Sequence, residues 1–300
     1  MNQTIDGESR PRSFPALAFV VLQYLLPKYW LTSVIYSLSR IQRQAVKNFL
    51  IRKFVRLYHV NVDEAEKFVP DGYASFNDFF TRSLSNDCRP ISPSDSTIVS
   101  PVDGTVSAAG KINGDQIFQA KGRTYRLQDL LLTNLDEANQ YIDGLFATVY
   151  LAPCNYHRVH APLAGELTAM RYVPGALFSV NAMTVSRLPR LFTRNERLIC
   201  HFRTAAGPMV LIFVGALNVG SITTPWTGQI RPKKRGVVEE LSLPRLVSRH
   251  MDKGELLGWF NMGSTVILLL PPGSCSWSDQ LNAGRKLLMG EAIGEQSISR

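Results

Sequence analysis

Three groups of complementary chemistry stand out in this chain: the carboxyl of Asp103 in Ser100-Pro101-Val102-Asp103-Gly104, the imidazoles of His157 and His160 in Asn155-Tyr156-His157-Arg158-Val159-His160-Ala161-Pro162, and the hydroxyl of Ser264 in Met262-Gly263-Ser264-Thr265. A serine hydroxyl is a poor nucleophile at neutral pH; it needs a base, itself oriented by a third group. Asp103, His160 and Ser264 supply that set in the order carboxylate, imidazole, hydroxyl. Gly263 adds a second feature. Lacking Cβ, it tolerates strained backbone and lets a neighbouring hydroxyl come close, so Ser264 is placed to attack the peptide bond that precedes it. The chain contains no G-x-S-x-G elbow, which removes the main support for an α/β-hydrolase. His-x-x-His is too loose to define a metal site, and Cys88, Cys154, Cys200 and Cys275 form no C-x-x-C pair, so no metal is expected and the cysteines read as free thiols in a reducing compartment.

These residues need elements to hold them. Residues 266–270 are a short apolar run, β-branched at its front and stopped by Pro271-Pro272-Gly273, which reads as a buried strand with Ser264 at its mouth. Further β-type runs cover 97–100, 104–108, 146–151, 165–172, 198–203 and 209–214, separated by Gly, Pro and Asn. Ahead of them, Asp63-Glu64-Ala65-Glu66 opens a predicted short helix, and residues 75–80 a second, with Ser75 or Asn77 as its cap. The fold class expected is α+β: N-terminal amphipathic membrane-binding helices followed by a mainly antiparallel β core.

The formal charge of +9 is concentrated at the start. Residues 1–62 carry nine Lys or Arg against Asp6 and Glu8, and no acid lies between Ser9 and Val62. Residues 1–13 are polar and contain acids, unlike a secretory signal or a transit peptide. Residues 14–26 are strongly apolar but end at Pro27-Lys28, short of the ~20 needed to span a bilayer. Residues 30–59 continue with apolar positions at helical spacing, basic residues between them, and aromatic Tyr24, Tyr29, Trp30 and Tyr36 nearby. An apolar face beside a basic one suits an anionic lipid surface; an ordinary helical subdomain packed on the core is the competing reading. No nucleic-acid motif accompanies the charge, so nucleic acid is not an expected partner. The Arg231-Pro232-Lys233-Lys234-Arg235 cluster reads as a solvated loop. The organisation expected is a basic amphipathic region over 1–62 and a catalytic domain over 63–300.

The chain resembles the bacterial membrane-associated, pyruvoyl-dependent phosphatidylserine decarboxylases along almost its whole length. The resemblance is carried by Leu22-Gln23-Tyr24-Leu25-Leu26-Pro27-Lys28, Phe76-Asn77-Asp78-Phe79-Phe80-Thr81-Arg82, Ser100-Pro101-Val102-Asp103-Gly104, Gln119-Ala120-Lys121-Gly122, Tyr156-His157-Arg158-Val159-His160-Ala161-Pro162, Val214-Gly215-Ala216 and Met262-Gly263-Ser264-Thr265. Met262 stands where the family most often has Leu, a volume-conserving change.

The resemblance implies a proenzyme that self-cleaves by serinolysis between Gly263 and Ser264, giving a β chain 1–263 and an α chain 264–300. Asp103 and His160 would activate Ser264, which becomes a covalent pyruvoyl group. That cofactor would decarboxylate phosphatidylserine to phosphatidylethanolamine through a Schiff base, with His157 protonating the carbon. The partners implied are phosphatidylserine in an anionic membrane and the α and β chains of one proenzyme, with a homodimer left open. The location implied is the cell membrane, peripheral, on its cytoplasmic face. A triad serine hydrolase acting on lipid esters and a non-catalytic lipid-binding protein are the two rival readings.

Overall fold

A computed structural model describes residues 21–133, 135–217, 221–233, 236–244 and 247–297. The expectations for residues 1–13, for the first part of 14–26 and for Lys234 and Arg235 therefore lie outside the described residues. The architecture is mixed α and β, with helices first and antiparallel sheets after them. The Ser264–Leu270 strand sits in the middle of the largest sheet, hydrogen-bonded to Leu145–Leu151 on one side and Gly207–Val214 on the other. All seven of its residues are buried, which is why the sequence shows a continuous apolar run there and no alternation. Outward from this strand, Gly207–Val214 pairs with Arg197–Thr204, then Gly165–Val173 and Glu239–Leu241; on the other flank Leu145–Leu151 pairs with Gly104–Lys111 and then Lys286–Leu287. Every expected β-run lies on a strand.

A second sheet orders Gly228–Ile230, Ile222–Thr224, Leu256–Phe260 and Arg158–His160. Its Leu256–Phe260 strand runs through Asn261, Met262 and Gly263 directly into Ser264–Leu270. The histidine segment and the Gly-Ser segment are thus brought together by sheet pairing, although more than a hundred residues separate them in sequence.

The N-terminal helical stretch is two helices, Lys28–Ser39 and Gln44–Tyr58, the second closed by His59 in the left-handed conformation. In Phe76–Phe80, Ser75 is the cap: its Oγ accepts from the Asp78 amide at 3.1 Å while Asp78 Oδ2 accepts from the Ala74 amide at 2.9 Å. This reciprocal pairing satisfies two donors that a helix start leaves open. Residues 63–66 are not the expected helix. They form a turn in which Ala65 bridges to Leu84 and Glu64 bonds to Arg89, so distant partners override local propensity. A small apolar cluster of Ile51, Val60, Tyr73, Phe76, Phe79 and Phe80 is packed by Phe54 and Met262, which joins the Gln44–Tyr58 helix to the residue before Gly263. Among the described residues no helix is long and apolar enough to cross a membrane.

Candidate active site

The Gly263–Ser264 peptide lies where the central strand begins. Ser264 is fully buried, and its Oγ has no hydrogen-bond partner among the described residues. A buried hydroxyl without a partner costs about 1–3 kcal/mol and marks a group held for something other than stability. His157 is beside it: a Cβ built on Gly263 would lie 3.9 Å from His157 Nε2 and 3.8 Å from the Leu151 carbonyl oxygen. Those are ordinary contacts, so space does not demand glycine at 263. The close-approach glycine is Gly104, whose Cβ would fall 2.5 Å from the Tyr150 carbonyl oxygen and which fixes Asp103 against the sheet.

The His157 ring is set by the turn that leaves the Leu145–Leu151 strand. The Asn155 side chain accepts from the Ala152 amide at 2.8 Å, and the Asn155 carbonyl accepts from His157 Nδ1 at 2.8 Å. With Nδ1 as the donor, Nε2 carries the lone pair, and it has no partner. Burial pulls the His157 pKa down to about 3, helped by the charge of Arg82, so the ring is neutral at physiological pH. Its face packs on Phe80, with ring centroids 4.1 Å apart.

His160 lies on the Arg158–His160 strand. Nδ1 donates to the Gly254 carbonyl at 2.8 Å, and Nε2 accepts from the Tyr156 phenol at 3.0 Å. Burial raises the Tyr156 pKa to about 12, which keeps the phenol a donor. Burial also depresses the His160 pKa, while the Gly254 carbonyl and the Asp103 charge pull it upward. Asp103 is thus near His160, but its oxygens are engaged elsewhere: Arg89 Nε donates to Oδ1 at 2.8 Å, Arg89 Nη2 to Oδ2 at 2.6 Å, and the Met289 amide to Oδ1 at 2.9 Å. The same Arg89 Nη2 donates to Glu64 at 2.8 Å. Burial alone would lower the Arg89 pKa; the bonds to Asp103 and Glu64 outweigh it and raise it. The structure therefore gathers His157, Gly263 and Ser264 closely and sets Asp103 behind His160 without a direct hydrogen bond between them among the described residues. Sequence reasoning missed Arg89 and Tyr156; the spacing of Tyr156 four residues before His160 is the one signal that pointed to either.

Next to the Gly263–Ser264 peptide is a cavity of about 190 Å³ lined by Gly263, Met262, Phe80, Tyr58, Asn181 and Ala216 among others. Asn261, two residues before Gly263, anchors the approach: its amide nitrogen donates to the Ser221 hydroxyl at 2.8 Å and the Thr223 hydroxyl at 2.9 Å, and its oxygen accepts from Asn77 at 3.1 Å. The Gly215–Ala216 edge is backed by Asn195, which donates to the Gly215 carbonyl at 2.9 Å, and by Glu196. Burial raises the Glu196 pKa to about 7, against the hydrogen bond from Tyr172 that favours ionisation. A folded-state pKa above the unfolded one means that stability falls as pH rises from about 4.5 through 7, by about 3 kcal/mol in all. Glu196→Gln removes this titration. Its melting temperature relative to the parent should therefore rise between roughly pH 5 and pH 8 in thermal unfolding, and a constant difference would show that Glu196 is not the buried acid.

Comparison with known proteins gives the family. A family model described as phosphatidylserine decarboxylase matches residues 76–295, and one described as PSD matches residues 18–59. Proteins named phosphatidylserine decarboxylase proenzyme from Saccharophagus degradans and Methylococcus capsulatus are 44% and 43% identical, over 92% and 94% of this chain and 96% and 98% of their own lengths. One from Legionella pneumophila is 44% identical over 90% of this chain and 95% of its own. The chain belongs to the phosphatidylserine decarboxylase family, a family of carboxy-lyases.

Proposed function

We propose that the chain is a proenzyme that cuts itself between Gly263 and Ser264 and then decarboxylates phosphatidylserine to phosphatidylethanolamine. The observation that carries the reading is the buried, unpartnered Ser264 Oγ at the mouth of the central strand, next to a neutral imidazole with its own unpartnered nitrogen. The family resemblance makes His160, and not the adjacent His157, the base: Ser264 Oγ gives its proton to His160 once Nε2 has exchanged the Tyr156 phenol for the hydroxyl, and Asp103 favours the charged ring. Oγ bonds to the Gly263 carbonyl carbon, the C–N bond breaks, and the amide becomes an ester with a free amine. Loss of the Cα proton of residue 264 breaks the Cβ–Oγ bond and frees Gly263 as a carboxylate. The dehydroalanine left behind takes up water and releases ammonia.

A pyruvoyl group fits the position, because residue 264 is fully buried and follows Gly263, which lines a cavity of mixed polar and apolar surface. Once formed, it supplies a carbonyl that condenses with the substrate amine and withdraws electrons from the carbon losing CO₂. His157 Nε2 accepts the proton the amine gives up and returns it to that carbon. The freed Gly263 carboxylate, formed beside Nε2, favours the charged ring and so opposes the depression that burial imposes. The 37-residue fragment stays bound after cleavage, because its strands Ser264–Leu270, Lys286–Leu287 and Ala292–Gln296 pair with strands of the longer one. The test is intact mass under denaturing conditions: two fragments split after Gly263, the smaller one lacking a serine amine, against one uncut chain for Ser264→Ala. A single uncut wild-type chain that reacts with a fluorophosphonate at Ser264 would favour a serine hydrolase and refute the proposal.

The enzyme works as a peripheral protein at the cytoplasmic face of the cell membrane, on this reading, with residues 1–62 as its docking region and 63–300 as the catalytic part. Leu25 and Trp30 are 77% and 67% exposed, and Leu22, Tyr24, Leu38 and Phe49 are exposed with them, which suits an interfacial surface. The pair Leu25→Ser and Trp30→Ser should weaken binding to anionic vesicles by at least about a hundredfold in a sedimentation assay, since each buried apolar side chain contributes about 1.5–3 kcal/mol; unchanged sedimentation would count against the docking region.

A further inference from the structure

Away from residue 264, the Lys28–Ser39 helix and residues 227–233, with Glu239 and Leu241, line a cavity of about 580 Å³. Tyr29, Thr32, Ser33 and Tyr36 form its helical wall, and Gln229, Arg231 and Lys233 face them. Two guanidiniums pack on the Tyr36 ring: Arg231 Cζ, in the cavity wall, lies 4.3 Å from its centre, and Arg40 Cζ, just outside that wall, lies 3.6 Å from it. The Glu239 carboxylate in the same wall is taken by Lys233 Nζ, at 2.6 and 2.7 Å. Among the described residues neither Arg40 nor Arg231 has a carboxylate within ion-pair distance. Burial pulls the Arg40 pKa below its ordinary value, opposed by the Tyr36 phenol and reinforced by the Arg231 charge. Thr32 is only 3% exposed, and its Oγ1 has no hydrogen-bond partner. Arg231 and Thr32 in one wall, with Arg40 on the same Tyr36 ring, offer cations without a counter-charge and a buried hydroxyl without a partner among the described residues, an arrangement for a small anion with several acceptor oxygens.

The same helix carries Ile35 and Leu38 on its other side, where they line an apolar cleft with Leu50, Phe54 and Leu57. A helix with an apolar flank and a cationic pocket on the other is built to lie at a lipid surface. We propose that this pocket binds the phosphate group of an anionic membrane phospholipid other than the substrate at residue 264. The site holds the Lys28–Ser39 helix in the headgroup layer and orients the 190 Å³ cavity toward the membrane. This inference rests on the membrane-docking reading above.

The full chain is tested on phosphatidylcholine vesicles with and without phosphatidylglycerol, each variant first shown by mass to process as the parent does. The pair Arg40→Gln and Arg231→Gln should bind phosphatidylglycerol vesicles about tenfold more weakly and phosphatidylcholine vesicles unchanged. Thr32→Val, which keeps the net charge, should lose about threefold. The pair Arg126→Gln and Arg203→Gln, at exposed arginines outside the pocket, should stay within about twofold of the parent. Equal losses in the two arginine pairs, or no loss with Thr32→Val, would overturn the site and leave membrane docking standing. Displacement by inorganic phosphate at matched ionic strength would reassign the pocket to free phosphate and overturn the lipid assignment. A parent protein that binds no vesicle would overturn both readings together.

Discussion

Replacing His160 by alanine is expected to slow self-cleavage by about 10³-fold, leaving mostly the uncut chain, whereas His157→Ala should cut and then decarboxylate about 10³-fold more slowly. The split follows from where the two rings sit. His160 is depressed by burial and by the charge of Arg158, but it has both the Gly254 carbonyl and the Asp103 carboxylate to favour the cation formed when Ser264 gives up its proton. His157 has the Arg82 charge near it, which disfavours the cation, and it packs on Phe80 in the wall of the cavity where a substrate amine would enter. Its Nε2 faces Gly263, the residue that the proposed cut would turn into a carboxylate. A time course of denaturing mass spectra gives the first rate, and CO₂ release from pre-cut protein the second. Stalled cleavage in His157→Ala with normal cleavage in His160→Ala would exchange the two roles.

The sheet was legible because its inner strands are long and apolar. Residues 209–214 and 266–270 are hydrophobic at nearly every position, and such runs have few other places to go. Edge strands such as Glu239–Leu241 and His250–Met251 carry two or three residues and exist because Gly165–Val173, from far along the chain, offers hydrogen bonds. The mistaken helix at 63–66 has the same origin: Glu64 is claimed by Arg89, and Ala65 by Leu84. For the site, residue types and motif order marked Asp103, His157, His160 and Ser264, while their contacts stayed hidden. Arg89 sits before a proline in an unremarkable loop and reads as a surface charge; the ion pair that gives it meaning reaches residues 14 and 25 positions away. The expected requirement for glycine at 263 came from the chemistry of close approach, yet the static packing there would accept a methyl group.

Arg89→Met should destabilise the fold by about 3–5 kcal/mol, the cost of leaving a buried carboxylate without its partner. The Arg89 and Asp103 side chains are only 7% and 3% exposed, so water cannot replace the lost guanidinium as it could for Glu64, at 31%. Met289, whose amide also bonds Asp103, belongs to the segment after Ser264, so the same carboxylate ties that segment to the rest of the chain. Denaturant unfolding is best measured on the Ser264→Ala background, where the chain stays single and a midpoint has a clear meaning. On that background, Asp103→Asn combined with Arg89→Met should recover more than half of the loss: the amide oxygen still accepts from Met289, and no charge is buried. A single Arg89→Met loss below about 1 kcal/mol would place Asp103 in a solvated setting. It would also remove the reason for expecting its charge to act on His160, because a screened carboxylate at that distance does little to a neighbouring imidazole.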